Sequence, residues 1–494
     1  MKTIMIVGTT SHAGKSFLTA AICRILARQG CKVTPFKGQN MALNAYVTKD
    51  EKEIGYAQAV QAWAAKVEPR VEINPILLKP QGNMTSQVIL NGEVIGTTSA
   101  GDYYQNYFKI GWKAIKTSLE ILKSEFDFCI CEGAGNPAEI NLKYRDLTNM
   151  RVAKYLHART ILIVDIDRGG AFAHIIGTLQ LLDKAERSLI KGIVINKFRG
   201  QRLLLNSGIK WLESYTKIPV LGVIPLTDIV FSAEDSLDLL NRNLEKSSKD
   251  INITIVRLPH IANFTDFEPL KYENTINVEY INLNQDIGNP DVLIIPGSKT
   301  TINDLIALHK SGMTIRIKEY FKEGGVILGI CGGFQMLGET IVDSDKIEGE
   351  HEICLGLNLL PMETKITSKK TTLRREVISN YPHEGHNVKG YEIHQGVTNF
   401  LKDSDIVKNK QLHYLFDDPT LGVVNKNLSI WGCYLHGIFE NGMWRRMWLN
   451  SLRRRKKLPP LSIKVEDYVK QREKALDDIA DLVESFIDLA PLLK

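Results

Sequence analysis

The sequence predicts an α/β protein of two domains in tandem, the first a P-loop, doubly wound, mostly parallel sheet and the second another α/β sheet. Three observations carry this prediction. Short apolar runs recur along the chain with helical patterns between them. A glycine-containing loop, Gly8-Thr9-Thr10-Ser11-His12-Ala13-Gly14-Lys15-Ser16, follows the first run and opens a helix. A second tight turn, Gly329-Ile330-Cys331-Gly332-Gly333, ends another apolar run in the second half of the chain. At 494 residues the chain also exceeds a single ordinary core.

In chain order, residues 2–7 read as a buried parallel strand and 16–29 as a helix stopped by Gly30. Runs at 31–36, 126–131, 160–165, 192–196 and 220–224 read as further strands of the same sheet. Residues 1–238 thus form the first expected domain. The polar stretch 239–250 (LLNRNLEKSSKD) reads as a linker. A new strand series at 253–258, 292–295 and 326–330 marks a second domain over 251–445. Residues 446–494 read as a basic, helical C-terminal extension, with Arg453-Arg454-Arg455-Lys456-Lys457 expected on a solvated face.

Hydrophobic content of 44% and charged content of 24% are those of a globular chain. The net charge of +6 does not demand a nucleic acid and suits a polyanionic small substrate. None of the seven cysteines has paired metal spacing; all but Cys331 are expected to be buried, reduced thiols. There is no signal-peptide pattern and no apolar run approaching the roughly 20 residues of a membrane span. The expectation is a cytoplasmic protein with neither membrane nor nucleic-acid partners, its oligomeric state left open.

A loop between strand and helix leaves backbone N–H groups at the helix N-terminus, where they and the helix dipole hold phosphate oxygens. Lys15 adds positive charge for the β and γ phosphates, and the Ser16 hydroxyl is placed for Mg²⁺. The strict pattern has glycine where Thr9 stands; Gly8 lies one residue earlier. The spacing resembles the dethiobiotin synthetase group of P-loop enzymes, which phosphorylate carboxylates. Partition ATPases carry an extra lysine at the position of Thr10, which argues against that reading. Thr10, Gly14, Lys15 and Ser16 are therefore the expected nucleotide-binding residues. Glu132, after an apolar run, is expected at the Mg²⁺ with Ser16, and Asn196, at the end of a later run, at the adenine edge.

Around Cys331 the pattern is strand, sharp turn, helix, and glycines clear the turn of side chains. A cysteine at a helix N-terminus is biased toward thiolate. His436, in Cys433-Tyr434-Leu435-His436-Gly437, is the expected base, and Gly297, in Pro296-Gly297-Ser298, and Gly332 the expected oxyanion hole. The arrangement resembles class I glutamine amidotransferases. In most of that class a glutamate lies two residues beyond the histidine. Here Ile438 stands there, so a third member comes from elsewhere or is missing, and Glu440 is the nearest carboxylate.

Longer matches then cover nearly the whole chain to about residue 445. Lys37-Gly38-Gln39-Asn40-Met41, Asn74-Pro75-Ile76-Leu77-Leu78-Lys79-Pro80, Gly133-Ala134-Gly135-Asn136-Pro137-Ala138-Glu139-Ile140-Asn141-Leu142, Asp165-Ile166-Asp167-Arg168-Gly169-Gly170, Asn263-Phe264-Thr265-Asp266-Phe267, Pro296-Gly297-Ser298-Lys299 and Gly390-Tyr391-Glu392-Ile393-His394 resemble the cobyric acid synthase family. The sister family of cobyrinic acid a,c-diamide synthases resembles a different run after the acidic residue. The resemblance implies ATP- and Mg²⁺-dependent, glutamine-dependent amidation of the b, d, e and g carboxylates of adenosylcobyrinic acid a,c-diamide. Its partners would be small molecules, a corrin polycarboxylate and glutamine. A diamide synthase, or a regulatory P-loop ATPase with a vestigial amidotransferase domain, are the competing readings. Lys37, Lys79, Asp167 and Arg168 are the expected contacts to the corrin or phosphates. The cluster Tyr103-Tyr104-Gln105-Asn106-Tyr107-Phe108 is expected to pack locally, and His394 to be a structural histidine.

Overall fold

The computed structural model describes residues 1–494 except 83, 228, 230–248, 349–350, 402–411 and 494, and at 100 and 104 the backbone alone. The stretch expected as a linker lies, through residue 248, outside the described residues. Six parallel strands build the first sheet: β1 (Lys2–Gly8), β2 (Val33–Phe36), β3 (Phe128–Glu132), β4 (Arg159–Asp165), β5 (Ile190–Phe198) and β6 (Val220–Pro225). Their order across the sheet is β6-β5-β4-β1-β3-β2. The chain leaves β1 toward β2 and later returns to its other side at β4. The loop after β1 therefore sits at the switch point, where side chains part and a ligand fits.

The strands form where expected because Ile, Val and Leu run continuously there, and both faces of β1 are covered. A separate four-stranded sheet, invisible to that reading, pairs Gln39–Met41, Ile76–Gly82, Thr85–Leu90 and Glu93–Ser99. As expected, Tyr103 and the partly buried Tyr107 and Phe108 pack on the first core.

The second sheet is formed by β7 (Ile251–Val256), β8 (Ile276–Ile281), β9 (Val292–Ile295), β10 (Ile327–Ile330), β11 (Leu412–Tyr414), β12 (Gly422–Asn425) and β13 (Ile430–Cys433). Its order is β8-β7-β9-β10-β13-β12-β11, with five parallel strands and an antiparallel edge. A long hairpin, Met362–Ser379 with His386–Phe400, reaches from this half to the first domain. Its Tyr391 and Ile393 share an apolar cluster with Ala42, Ala45, Val47, Leu77 and Ile89. Among the described residues no helix is long and apolar enough to cross a membrane.

The C-terminal extension does not trail from the second half. Helix α3 (Gly442–Arg455) stays there, but α4 (Tyr468–Phe486) crosses back and packs along α1 (Lys15–Arg28), the helix after the phosphate loop. Leu476, Ile479, Ala480 and Val483 complete a core with Leu18 and Ile22. Arg24 is clamped by Glu473 and Asp477, each at 2.8 Å. The basic run is also less solvated than expected, since Arg453 is buried and pairs with Asp250 at 2.6 Å. The cysteines are unpaired thiols, with Cys31 half-buried rather than buried.

Leu476→Ala should destabilise the first domain by about 2–5 kcal/mol, the cost of a buried leucine truncated in a packed core. A urea melt of full-length protein reads it, with the exposed Lys470→Ala within about 0.5 kcal/mol of wild type. Equal midpoints for the two variants would show that α4 is not part of that core.

Candidate active site

The phosphate loop lies between β1 and α1. Gly14 has φ 104°, and a Cβ there would lie 2.1 Å from the Asn196 amide nitrogen, so only glycine fits. The Asn196 amide donates to the Ala13 carbonyl at 2.9 Å. Asn196 thus braces the loop from the end of β5, a role distinct from the adenine contact expected of it. Lys15 donates to the carbonyls of Thr10 at 3.0 Å and Gly135 at 3.2 Å, which holds its ammonium over the loop. Lys197 similarly ties the His12 carbonyl to Asp165, at 2.8 and 2.9 Å.

Glu132, at the end of β3, receives the Ser16 hydroxyl at 2.9 Å, the Lys37 ammonium at 2.7 Å and the Gln61 amide. Two oxygens converging at a phosphate loop fit Mg²⁺, which keeps several waters and phosphate oxygens in its shell. Lys37 shares that carboxylate, so it would lie beside the cation and the terminal phosphate. A cleft of about 620 Å³ opens here, with Lys15, Ser16, Lys37, Asn196, Gln39 and Arg145 among its lining residues. That volume suits a nucleotide together with part of a second substrate.

Three residues expected at this cleft lie elsewhere. Lys79 is on the separate four-stranded sheet, buried against Glu53, and lines the cavity at Cys331 instead. Asp167 pairs with Arg199 at 2.7 Å, and Arg168 is exposed with its Nε 3.8 Å from Asp165. Neither lines the cleft. The strand-end rule placed them near the ligand face, but their turn points outward into solvent.

The cysteine site collects the carboxyl ends of three neighbouring strands, β9, β10 and β13. Cys331 follows β10 and precedes the short helix α2 (Gly332–Met336) with φ 51° and ψ −110°, a backbone conformation that costs about 1–3 kcal/mol and that nucleophile elbows adopt. Gly333 is obligatory, because a Cβ there would lie 1.9 Å from the Ile295 carbonyl. After β9, Gly297 pairs in register with Ala262. Lys299 N–H donates to His260, so alternation along this antiparallel ribbon commits Gly297 N–H to the ribbon and turns Ser298 N–H away from it. The Ser298 nitrogen indeed lies 2.9 Å from where a Gly332 Cβ would stand. The oxyanion donor expected at Gly297 is thus better placed one residue on, at Ser298, opposite Gly332.

His436 follows β13. Its Nδ1 lies 2.7 Å from Asp266 Oδ2, and Asp266 Oδ1 accepts the Gly437 N–H at 2.9 Å. Asp266 supplies the carboxylate absent at position 438. It lies in a 3-10 turn, Phe264–Phe267, that packs beside the Gly297 ribbon. Burial disfavours the charged imidazole, but Asp266 and Cys331 outweigh it and raise His436 to about 10. An imidazole with that proton affinity can hold the thiol proton beside Cys331 and is placed to give it to a leaving amine. Glu440 is not the third member; it faces Arg472 at 3.5 Å. His394 is held by Glu392 at 3.1 Å and stacks on Tyr434, yet it also lines the cavity with Cys331. Asp266 was missed because 170 residues separate it from His436, although its segment had been singled out as a match.

Residues 4–240 match the CobQ/CobB/MinD/ParA nucleotide binding domain, and residues 252–444 the CobB/CobQ-like glutamine amidotransferase domain. The chain is similar over its whole length to curated proteins named cobyric acid synthase. That of Crocosphaera subtropica is 65% identical, covering 100% of both chains. That of Rippkaea orientalis is 64% identical over 100% of this chain and 99% of its own. That of Nostoc punctiforme is 61% identical over 100% of both.

Asp266→Asn should lower ammonia release from glutamine by on the order of 10²–10⁴-fold. It should also move the alkaline limb of the pH profile. Protonated His436 is stabilised by Asp266 in the folded state, an effect complete below the ordinary value of 6.5 and lost as pH rises through about 10. Without the carboxylate that limb shifts to lower pH. An unshifted profile in a pH–rate series would remove Asp266 from the site.

Proposed function

The chain belongs to the cobyric acid synthase family, and from that premise we propose that its phosphate loop activates corrin carboxylates while Cys331 draws ammonia from glutamine. It is an ATP-dependent carbon–nitrogen ligase of cobalamin biosynthesis with glutamine as nitrogen donor. The acceptors are the b, d, e and g carboxylates of adenosylcobyrinic acid a,c-diamide. Its substrates are all water-soluble small molecules, which suits a cytoplasmic enzyme. The observation that carries the reading is the pairing of a braced phosphate loop with a Cys–His–Asp arrangement on one chain.

A carboxylate is a poor acyl donor because oxide is a poor leaving group. Phosphoryl transfer from ATP converts it to an acyl phosphate. Lys15 stabilises charge on the transferring group, and Gly14 and Thr10 contribute the loop that wraps it. Ser16 and Glu132 would hold Mg²⁺, whose charge offsets that of the phosphates when it is bound. Lys37 sits where it touches the same phosphate or an incoming corrin carboxylate.

At the other site Cys331 attacks the glutamine amide and His436 takes the thiol proton. Ser298 and Gly332 N–H groups receive the tetrahedral oxyanion. His436 then protonates the departing ammonia, leaving a glutamyl thioester for water to hydrolyse. The cavity measures only about 40 Å³, room for a water or so, and includes Lys79 from the first domain among its walls.

Cys331→Ala should abolish synthesis from glutamine yet leave synthesis from high ammonium salt, read as product mass shifts. Equal loss of both would sink the two-site scheme. Lys15→Ala should cut synthesis from either nitrogen source by on the order of 10²-fold or more. Ammonium-driven product at wild-type rate would refute the assignment of the phosphate loop. Time courses should also show partly amidated corrins free in solution, since one cleft must accept four related acceptors in turn.

A further inference from the structure

The cavity at Cys331 carries more charge than the thioester chemistry uses. Three ammonium groups line it, those of Lys79, Lys299 and Lys370, together with Glu348. Lys79 and Lys370 are both committed to Glu53. Burial disfavours the Glu53 charge, yet these two lysines hold it at about 2. Lys299 differs. It is 8% exposed, and among the described residues its ammonium has no hydrogen-bond or ion-pair partner. Burial lowers it to about 8, so it is still largely protonated at neutral pH.

A desolvated ammonium that feels Glu348 nearby but has no direct partner is costly. It is tolerated where a ligand brings the missing charge. Lys299 is the residue after Ser298, whose N–H faces Gly332 and the cysteine. A ligand whose amide carbon sits at Cys331 therefore has its other end within this charged wall. Glu348 lines the same wall. It accepts the Ile302 N–H at 3.3 Å, and burial raises it to about 7.

We propose that Lys299 binds the α-carboxylate of glutamine and Glu348 its α-ammonium, so that this pair selects a free α-amino acid over simple carboxamides and peptide-bound glutamine. This rests on the glutaminase reading of Cys331. A structural lysine would be paired as Lys79 and Lys370 are; one that recognises substrate is left open toward the nucleophile.

The experiment compares amide hydrolysis of glutamine, of 4-aminobutanamide, which lacks the α-carboxylate, and of 4-carbamoylbutanoate, which lacks the α-ammonium. Wild-type kcat/KM should fall by on the order of 10²-fold or more for each analogue, because each leaves one buried charge unmet. In Lys299→Gln, glutamine should drop toward the level of 4-aminobutanamide, whose own rate stays within about threefold of its wild-type value. Ammonium-driven synthesis should be unchanged, showing an intact fold. A Lys299→Gln variant that lowers glutamine and 4-aminobutanamide equally would overturn the clamp. If that variant loses ammonium-driven synthesis as well, the wild-type ratio decides: 4-aminobutanamide hydrolysed as efficiently as glutamine overturns the clamp and leaves the glutaminase standing. No glutamine hydrolysis by wild type would overturn both.

Discussion

Two asparagines, one from each half, hold the two chemistries together. Asn263 Oδ1 accepts the Ala45 N–H at 2.9 Å, and Asn44 Oδ1 accepts the Phe264 N–H at 3.1 Å. Both side chains are buried, so each satisfies a backbone donor that would otherwise be stranded away from water. Asn263 adopts a left-handed conformation with φ 51°, which asparagine tolerates better than most residues. Three residues later Asp266 grips His436. The turn that clasps the synthetase half thus also sets the proton acceptor of the cysteine site.

Other contacts reinforce this clasp. Tyr391 and Ile393 seal it with apolar surface, and the Tyr391 hydroxyl donates to the Ala45 carbonyl at 3.3 Å. Glu53 neutralises lysines from both halves. His436 and Tyr391 exchange backbone hydrogen bonds, so the hairpin that seals the interface also anchors the strand end bearing the base. The cavity at Cys331 includes Lys79 of the first domain, and the strand that carries Lys79 pairs with Gln39–Met41, which lines the nucleotide cleft.

Much of this was legible in the sequence, and the rest was illegible for identifiable reasons. The sheet strands announced themselves as continuous apolar runs because both faces are covered. The phosphate loop and the Cys331 turn are contiguous, so their glycines could be read in place. Asp266 could not be found by spacing, since the fold alone brings it to His436. The long hairpin alternates polar and apolar residues over a half-exposed surface and leaves no strong signal. Lys79 was misplaced because its strand belongs to another sheet than the one whose ends were being read. The return of α4 to α1 is written in its apolar stripe, but a stripe does not name its partner.

If the clasp sets the cysteine site, the decisive measurement is steady-state synthesis by Asn44→Ala from glutamine and from ammonium. Removing one buried acceptor should lower the glutamine-driven rate by about tenfold while the ammonium-driven rate stays within about twofold of wild type. Equal rates from both nitrogen sources, unchanged from wild type, would contradict the claim that the interface positions the triad.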